Sequence, residues 1–300
     1  MPELPEVETV RAGLAQHVIG AEIVAVEVLD ARSLKRYPPG PAAFTAELIG
    51  KTFQSVVRRG KFFWLPIAND LALSGHLGMS GQVLIRSAEA PADGQTRIVL
   101  HLKKPSGEPI EFRFIDQRIF GSLAVVDLVP TSDGGPGGYS PEVGVKNTIP
   151  AEAAHIARDP LDPMFDLKSV VEKLATKNTE IKRALLDQNL ISGIGNIYAD
   201  ESLWRSRVHY ATRASDLSKR KLRELVEVAT EVLQEAVEQG GTSFDEQYKN
   251  VNGDSGYFVQ ELAAYGQTGK PCPRCGGSIR RDSWANRGSH FCSRCQRKKS

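Results

Sequence analysis

The four cysteines of this chain stand together near its carboxyl end as Cys272-x2-Cys275-x16-Cys292-x2-Cys295. Two C-x-x-C knuckles at that separation match a structural zinc site. Zinc takes four ligands tetrahedrally, each knuckle offers two thiolates from one turn, and four cysteines leave no open coordination position. The metal, one Zn2+, is therefore expected to hold shape and to do no chemistry. An iron centre with similar ligands is the alternative. Disulfides are disfavoured by an apparently reducing compartment and by the absence of any other cysteine. Between the knuckles, Ile279-Arg280-Arg281 and His290-Phe291 read as two strands of a hairpin whose tip runs from Trp284 to Ser289.

Charge divides the chain at the same place. Residues 270–300 hold nine Lys or Arg against one acid, Asp282, whereas the other 269 residues hold 29 bases and 35 acids. A basic block at one end suits contact with a polyanion. A charge run alone is more often a solvated tail, but the cysteines inside this one argue for a folded unit. Three hundred residues with 41% hydrophobic content suffice for one large or two modest domains. No apolar run approaches 18 residues, so no membrane span is expected. The acidic amino terminus lacks the apolar region of a signal peptide, and a cytoplasmic location follows by default.

Hydrophobic periodicity changes along the chain. From Glu6 to Val18, the residues Val7, Val10, Leu14 and Val18 share one helical face, and Gly20 ends the helix. From Ile23 to Phe120 the texture is short apolar alternation, at 23–28, 62–65, 83–85, 98–102 and 110–114, punctuated by Gly and Pro. That is the signature of an antiparallel sandwich or barrel. Gly- and Pro-rich residues 133–150 read as a linker. Helical patterns follow at 167–176, 179–188, 196–205 and 216–239. The expected fold is α+β: an N-terminal antiparallel β-sandwich with a leading helix at 1–132, a linker at 133–150, a helical domain at 151–266 and the zinc module at 267–300.

Several segments can carry chemistry. If Met1 is removed, Pro2 presents a secondary amine, and an α-amine titrates near 7.7–8, well below lysine. Such an amine can attack a sugar C1′ to give an iminium, with Glu3 passing protons. On these residues alone, an ordinary helix start is the default reading. Asn189 to Glu201, with Gly193 and Gly195, lies between two helical stretches, and Asn196 suits the N-cap of the second. A helix amino terminus of that kind is a phosphate site, and Lys182 on the preceding helix is a further phosphate candidate. Lys61 sits at the mouth of a strand, where a lysine commonly stays solvated. Residues 74–81, Ser-Gly-His-Leu-Gly-Met-Ser-Gly, are glycine-rich enough for a loop. Phe120, taken alone, reads as core. The polar stretches at 240–243 and 250–258 read as turns.

Taken together, Pro2-Glu3-Leu4-Pro5-Glu6-Val7-Glu8, the Asn189–Glu201 stretch, Asp116-Gln117-Arg118-Ile119-Phe120-Gly121 and the cysteine module resemble the formamidopyrimidine-DNA glycosylase family over nearly the whole chain. The resemblance implies a bifunctional glycosylase and abasic-site lyase of base excision repair. It would remove oxidised purines, 8-oxoguanine and formamidopyrimidines, from duplex DNA and cut the strand by β,δ-elimination. The helical domain would be a helix–two-turn–helix element. Pro2 would be the Schiff-base nucleophile and Glu3 its acid/base partner. Lys61 would bind phosphate near the lesion and assist elimination. Arg287, at the finger tip, would contact the phosphate beside the lesion and is a further proton-transfer candidate, although a guanidinium gives up a proton poorly. His76, Asn196 and Tyr257 would bind phosphate, and Met79 would fill the gap left by the extruded base. Arg118 would pair with the orphaned cytosine, and Phe120 would wedge the stack. A common family form reads Asp-Pro-Arg-Arg-Phe-Gly, so Gln117 and Ile119 depart from it and the motif's second arginine has no counterpart here. A monomer acting on damaged double-stranded DNA is expected. Two alternatives are a sister endonuclease VIII-type enzyme for oxidised pyrimidines and a non-catalytic zinc-containing DNA-binding protein. Leu4 with the Met79/Phe120 pair favours the purine enzyme over the first. The second would not need Pro2, Glu3 and Lys61 together.

Overall fold

The structure, a computed structural model, describes residues 2–142, 145–242, 251–252 and 258–298. The chain divides into two compact units, residues 1–155 with 240–257 and residues 156–239 with 258–300. Among the described residues, no helix is long and apolar enough to cross a membrane.

The first unit opens with α1 (Leu4–Val18), whose buried residues Leu4, Val7, Val10, Leu14 and Val18 recur at helical spacing. The helix starts two residues before the expected Glu6. Pro5 is tolerated there because a first-turn N–H has no partner inside the helix. Gly20, with φ of 79°, turns the chain out of the helix toward β1. There follow β1 (Glu22–Val28), α2 (Gly40–Leu48), β2 (Val57–Arg59), β3 (Phe62–Pro66), β4 (Leu71–His76), β5 (Gly81–Ser87), β6 (Thr96–Lys103), β7 (Pro109–Asp116), β8 (Ser122–Pro130) and β9 (Thr148–Pro150). They make two antiparallel sheets, ordered β1-β6-β7-β5 and β2-β3-β4-β8-β9. One apolar core joins them, with Ile98, Leu100, Phe112 and Phe114 from the first sheet and Phe63, Leu65, Leu73 and Leu123 from the second.

Two glycine-rich stretches depart from expectation for one physical reason. Residues 74–76 are strand, and the loop is confined to 77–80. A Cβ on Gly75 would lie 2.1 Å from the ring of Phe63, so this glycine admits a ring lying across the strand. Residues 133–150 are no linker. They belong to the first unit, pairing β9 with β8 and Tyr139 with Arg58. Cβ atoms on Gly137 and Gly138 would stand 1.9 Å and 2.3 Å from the carbonyl oxygens of Thr148 and Arg58. Close approach, and not flexibility, requires those glycines.

The second unit contains α3 (Leu167–Thr176), α4 (Ile181–Leu185), α5 (Asn196–Arg205), α6 (Lys219–Glu238), and the hairpin β10 (Ile279–Trp284) and β11 (Arg287–Cys292). α4 is shorter than the expected 179–188. Beyond it the Gln188 side chain takes over, donating to the carbonyls of Leu186 and Ile194 and accepting from Gly193 N–H at 3.0 Å. The N-cap of α5 is Gly195, and Asn196 is already inside the helix. The hairpin strands run farther than expected, leaving a two-residue turn, Ala285-Asn286, with φ of 45° and 60°. That handedness suits the twist of a tight hairpin.

A buried ion network ties α1 to the second sheet. Glu8 accepts from Arg11 Nε at 2.9 Å and from Arg58 Nε at 2.8 Å, and the Arg58 side chain is fully buried. The Tyr139 ring lies 5.6 Å from each guanidinium. Removing one partner from such a pair typically costs about 3–5 kcal/mol, because a charge is left uncompensated in the interior. Glu8→Ala is therefore expected to lower unfolding stability by roughly that amount in urea titrations. A loss below about 1 kcal/mol, the range of an exposed pair, would remove the network from this role.

Candidate active site

Pro2 and Glu3 are buried just ahead of α1, Glu3 being 3% exposed. A capping box fixes this start, with Glu3 N–H donating to Glu6 Oε2 at 2.8 Å. The other Glu6 oxygen accepts from the N–H and the hydroxyl of Thr242, at 2.8 and 2.9 Å. Glu6 thus joins the amino terminus to a segment more than two hundred residues away. Nothing in an acidic helix start signals that role.

Lys61 lies in the two-residue turn between β2 and β3, where Gly60 has φ of 56°. Glu8 and Arg58 brace this turn, since Arg58 Nη1 also reaches the Gly60 carbonyl at 3.4 Å. His76 closes β4 on the neighbouring strand, with its ring 5.4 Å from that of Phe62. Burial, helped by the positive charges of Arg36 and Lys35, pushes the His76 pKa down to about 4. The ring is therefore neutral near pH 7. Its Nδ1 accepts from Gly78 N–H at 3.1 Å, which leaves the proton on Nε2 as a donor. The depressed pKa disfavours the fold in acid. As pH falls from about 6.5 toward 4, the unfolded chain takes up a proton that the folded ring refuses.

Beyond His76, the 77–80 loop carries Met79, 41% exposed, and the 117–121 loop carries Arg118 and Phe120, the latter 48% exposed. The Arg118 guanidinium lies 6.0 Å from the Phe120 ring. A Cβ on Gly78 would fall 2.4 Å from the Phe120 carbonyl carbon, so the two loops abut. Phe120 is thus exposed, contrary to its reading as core. Register explains the grouping: His76 pairs with Ser122, and Phe63 with Gly75, so these residues come to one end of the second sheet.

In the second unit, the four cysteine sulfurs lie within 4.8 Å of one another. A tetrahedron of Zn–S bonds near 2.3 Å places sulfurs about 3.8 Å apart, so the donor set fits zinc. Trp204 of α5 donates its indole N–H to Cys272 Sγ at 3.4 Å, and the Arg274 guanidinium stacks 4.1 Å from the same indole. Arg287 is exposed and begins β11 just after the turn. Asn196 points its amide at the hairpin, donating to the Gly288 carbonyl at 3.0 Å.

Lys182 corrects the sequence reading. It is fully buried and offers no ammonium to an external phosphate. Its Nζ pairs with Asp200 at 2.7 Å and donates to the Gly288 carbonyl and the Ser289 hydroxyl at 3.1 and 2.8 Å. Asp200 also accepts from His290 N–H at 2.8 Å. Lys182 and Asp200 are an internal strut under the finger tip. Tyr257 lies outside the described residues.

Residues 1–123 match the model of the formamidopyrimidine-DNA glycosylase N-terminal domain, residues 156–247 that of the same enzyme's H2TH domain, and residues 269–297 the zinc finger found in FPG and IleRS. The chain belongs to the formamidopyrimidine-DNA glycosylase family. It is 52% identical over 299 residues to the formamidopyrimidine-DNA glycosylase of Leifsonia xyli, covering 99% of this chain and 100% of that one. It is 50% identical over 297 residues to that of Rhodococcus jostii, covering 99% and 96%. Among solved structures it resembles Lactococcus lactis Fpg bound to abasic-site DNA, with a TM-score of 0.80, 31% identity, and coverage of 99% and 100%. The same enzyme bound to Fapy-dG DNA gives 0.79 at 31% identity, with the same coverage. The protein is accordingly a DNA glycosylase of the Fpg type, and its cysteines form the structural zinc site of that family.

Among the described residues, the apolar cluster around the cysteines consists of Cys272, Ile279 and Cys292, with Trp204 and Cys295 against it. So small a core depends on its metal. Cys292→Ser is expected to lose zinc, measured by elemental analysis, and DNA binding with it. A metal-free protein that still bound an abasic-site duplex normally would contradict this.

Proposed function

We propose that this glycosylase excises oxidised purines, 8-oxoguanine and formamidopyrimidines, and then cleaves the strand by β,δ-elimination. The observation that carries the reading is the exposure of Met79 and Phe120 beside Arg118 on two abutting loops at one end of the second sheet. Apolar side chains presented next to a cation suit insertion into a base step from which a nucleotide has been extruded. The DNA of the Lactococcus lactis complexes, Fapy-dG in one and an abasic site in another, is consistent with that class of substrate.

In this reading Pro2, freed of Met1, attacks C1′ as the damaged base leaves. The resulting iminium acidifies the C2′ proton, and elimination follows. Glu3 exchanges protons at the sugar, and Lys61 assists elimination. His76 serves phosphate as a neutral Nε2–H donor. Asn196 and Arg287 hold phosphate from the second unit, Arg287 as a clamp more than an acid. Arg118 offers donors to the acceptor edge of the orphaned cytosine.

Borohydride is expected to trap a covalent DNA adduct whose mass maps to Pro2, and a retained Met1 or an amino-terminal tag should abolish trapping. An adduct on Lys61 in the native protein would refute the assignment. Excision of 8-oxoguanine should be faster opposite cytosine than opposite adenine. The difference expected is about 5- to 150-fold, as for about 1–3 kcal/mol at a directly read base. Arg118→Ala should flatten this preference in single-turnover assays, whereas Arg287→Ala should weaken binding for every partner base alike. Equal rates opposite the two bases in the native protein would exclude Arg118 from this role.

A further inference from the structure

Asp116, the last residue of β7, is fully buried, and among the described residues no cation pairs with its carboxylate. Four neutral donors satisfy it instead. Oδ1 accepts from the Ser80 hydroxyl at 2.5 Å, from Arg118 N–H at 3.2 Å and from Ile119 N–H at 3.0 Å. Oδ2 accepts from Gly121 N–H at 2.6 Å. Burying a carboxylate is costly unless its lone pairs are filled, and three of the donors filling them are the backbone of one short loop.

That loop needs holding. Ile119 has φ of 55°, a left-handed conformation that costs a β-branched residue about 1–2 kcal/mol. Ser80 stands next to Met79 in the neighbouring loop, and its hydroxyl also accepts from Arg118 N–H at 3.3 Å. Outside the carboxylate, Arg97 Nε donates to the Asp116 carbonyl at 2.8 Å, and Lys35 Nζ donates to that of Ile119 at 2.9 Å. One carboxylate therefore fastens the backbone that carries Arg118 and Phe120 to the segment that carries Met79.

We infer that Asp116, acting with Ser80, is a positioning residue that makes Met79, Arg118 and Phe120 one rigid reading head and so sets discrimination of the base opposite the lesion. The inference rests on the reading of Arg118 given above. It separates recognition from chemistry, because Pro2, Glu3 and Lys61 lie on other elements.

Asp116→Asn is nearly isosteric but turns an NH2 toward backbone donors. Hydrogen exchange at the amides of Arg118, Ile119 and Gly121 should accelerate roughly tenfold or more. The cytosine-over-adenine excision ratio should fall toward one. Borohydride trapping on a preformed abasic-site duplex should stay within about twofold of native, since the attacking amine is untouched. Ser80→Ala should make a smaller step in the same direction, and Ser80→Thr, which keeps the hydroxyl, should restore both exchange and ratio. If Asp116→Asn does not fold, the Ser80 pair carries the same test. A full cytosine preference in Asp116→Asn or Ser80→Ala would overturn the inference. So would losses of trapping, discrimination and melting temperature in equal proportion. A native protein without any base preference would instead defeat the reading of Arg118, while the exchange data would still report whether Asp116 holds the loop.

Discussion

The carboxylate of Glu8 takes one guanidinium from its own helix and another from β2, and the ring of Tyr139 lies beside both. Neither Glu8 nor Arg58 is near enough to solvent for water to do this work, so the pair must stay together or both charges are stranded. The helix that begins just after Pro2 and the turn that carries Lys61 are thereby referenced to one another. A chain terminus is otherwise among the least restrained parts of a protein. Here the terminus is restrained twice, by Glu8 within α1 and by Glu6, which grips both Glu3 N–H and Thr242.

Much of this was legible in the residues. The apolar spacing of α1, the alternation of most strands and the cysteine spacing each report a local rule that packing did not override. Membership of the glycosylase family was legible too, from the amino-terminal motif and the cysteine module taken together. Less legible were β4 and residues 133–150. A glycine that admits a ring or a carbonyl looks, in sequence, like a glycine that makes a turn. α4 was read too long because one side chain, Gln188, replaces its last turn. Lys182 was misread because a five-residue helix has too little periodicity to say which face is buried. Asp116, Glu6 and Asp200 carried no mark of their roles, since burial of a carboxylate is decided by donors from distant segments.

The second unit repeats the same physical solution with different parts. Lys182 and Asp200 form a fully buried pair, and what they hold is the Gly288 carbonyl, the Ser289 hydroxyl and the His290 N–H, directly after Arg287. Zinc shapes the base of the hairpin, while this pair, with Asn196, fixes its far end. An exposed arginine can meet a phosphate accurately when its own backbone cannot drift.

Gly78 and Phe120 come from two loops, each crossing from one sheet to the other, that are not consecutive in the chain, yet no side chain larger than hydrogen fits at Gly78 where they meet. The two loops are consequently not free to vary in length independently. An insertion in one would displace the other, so tolerated insertions and deletions should come in matched pairs. Over evolutionary time, and in loop grafting, residues 77–80 and 117–121 would then travel as a single module even though β5, β6, β7 and their connections separate them.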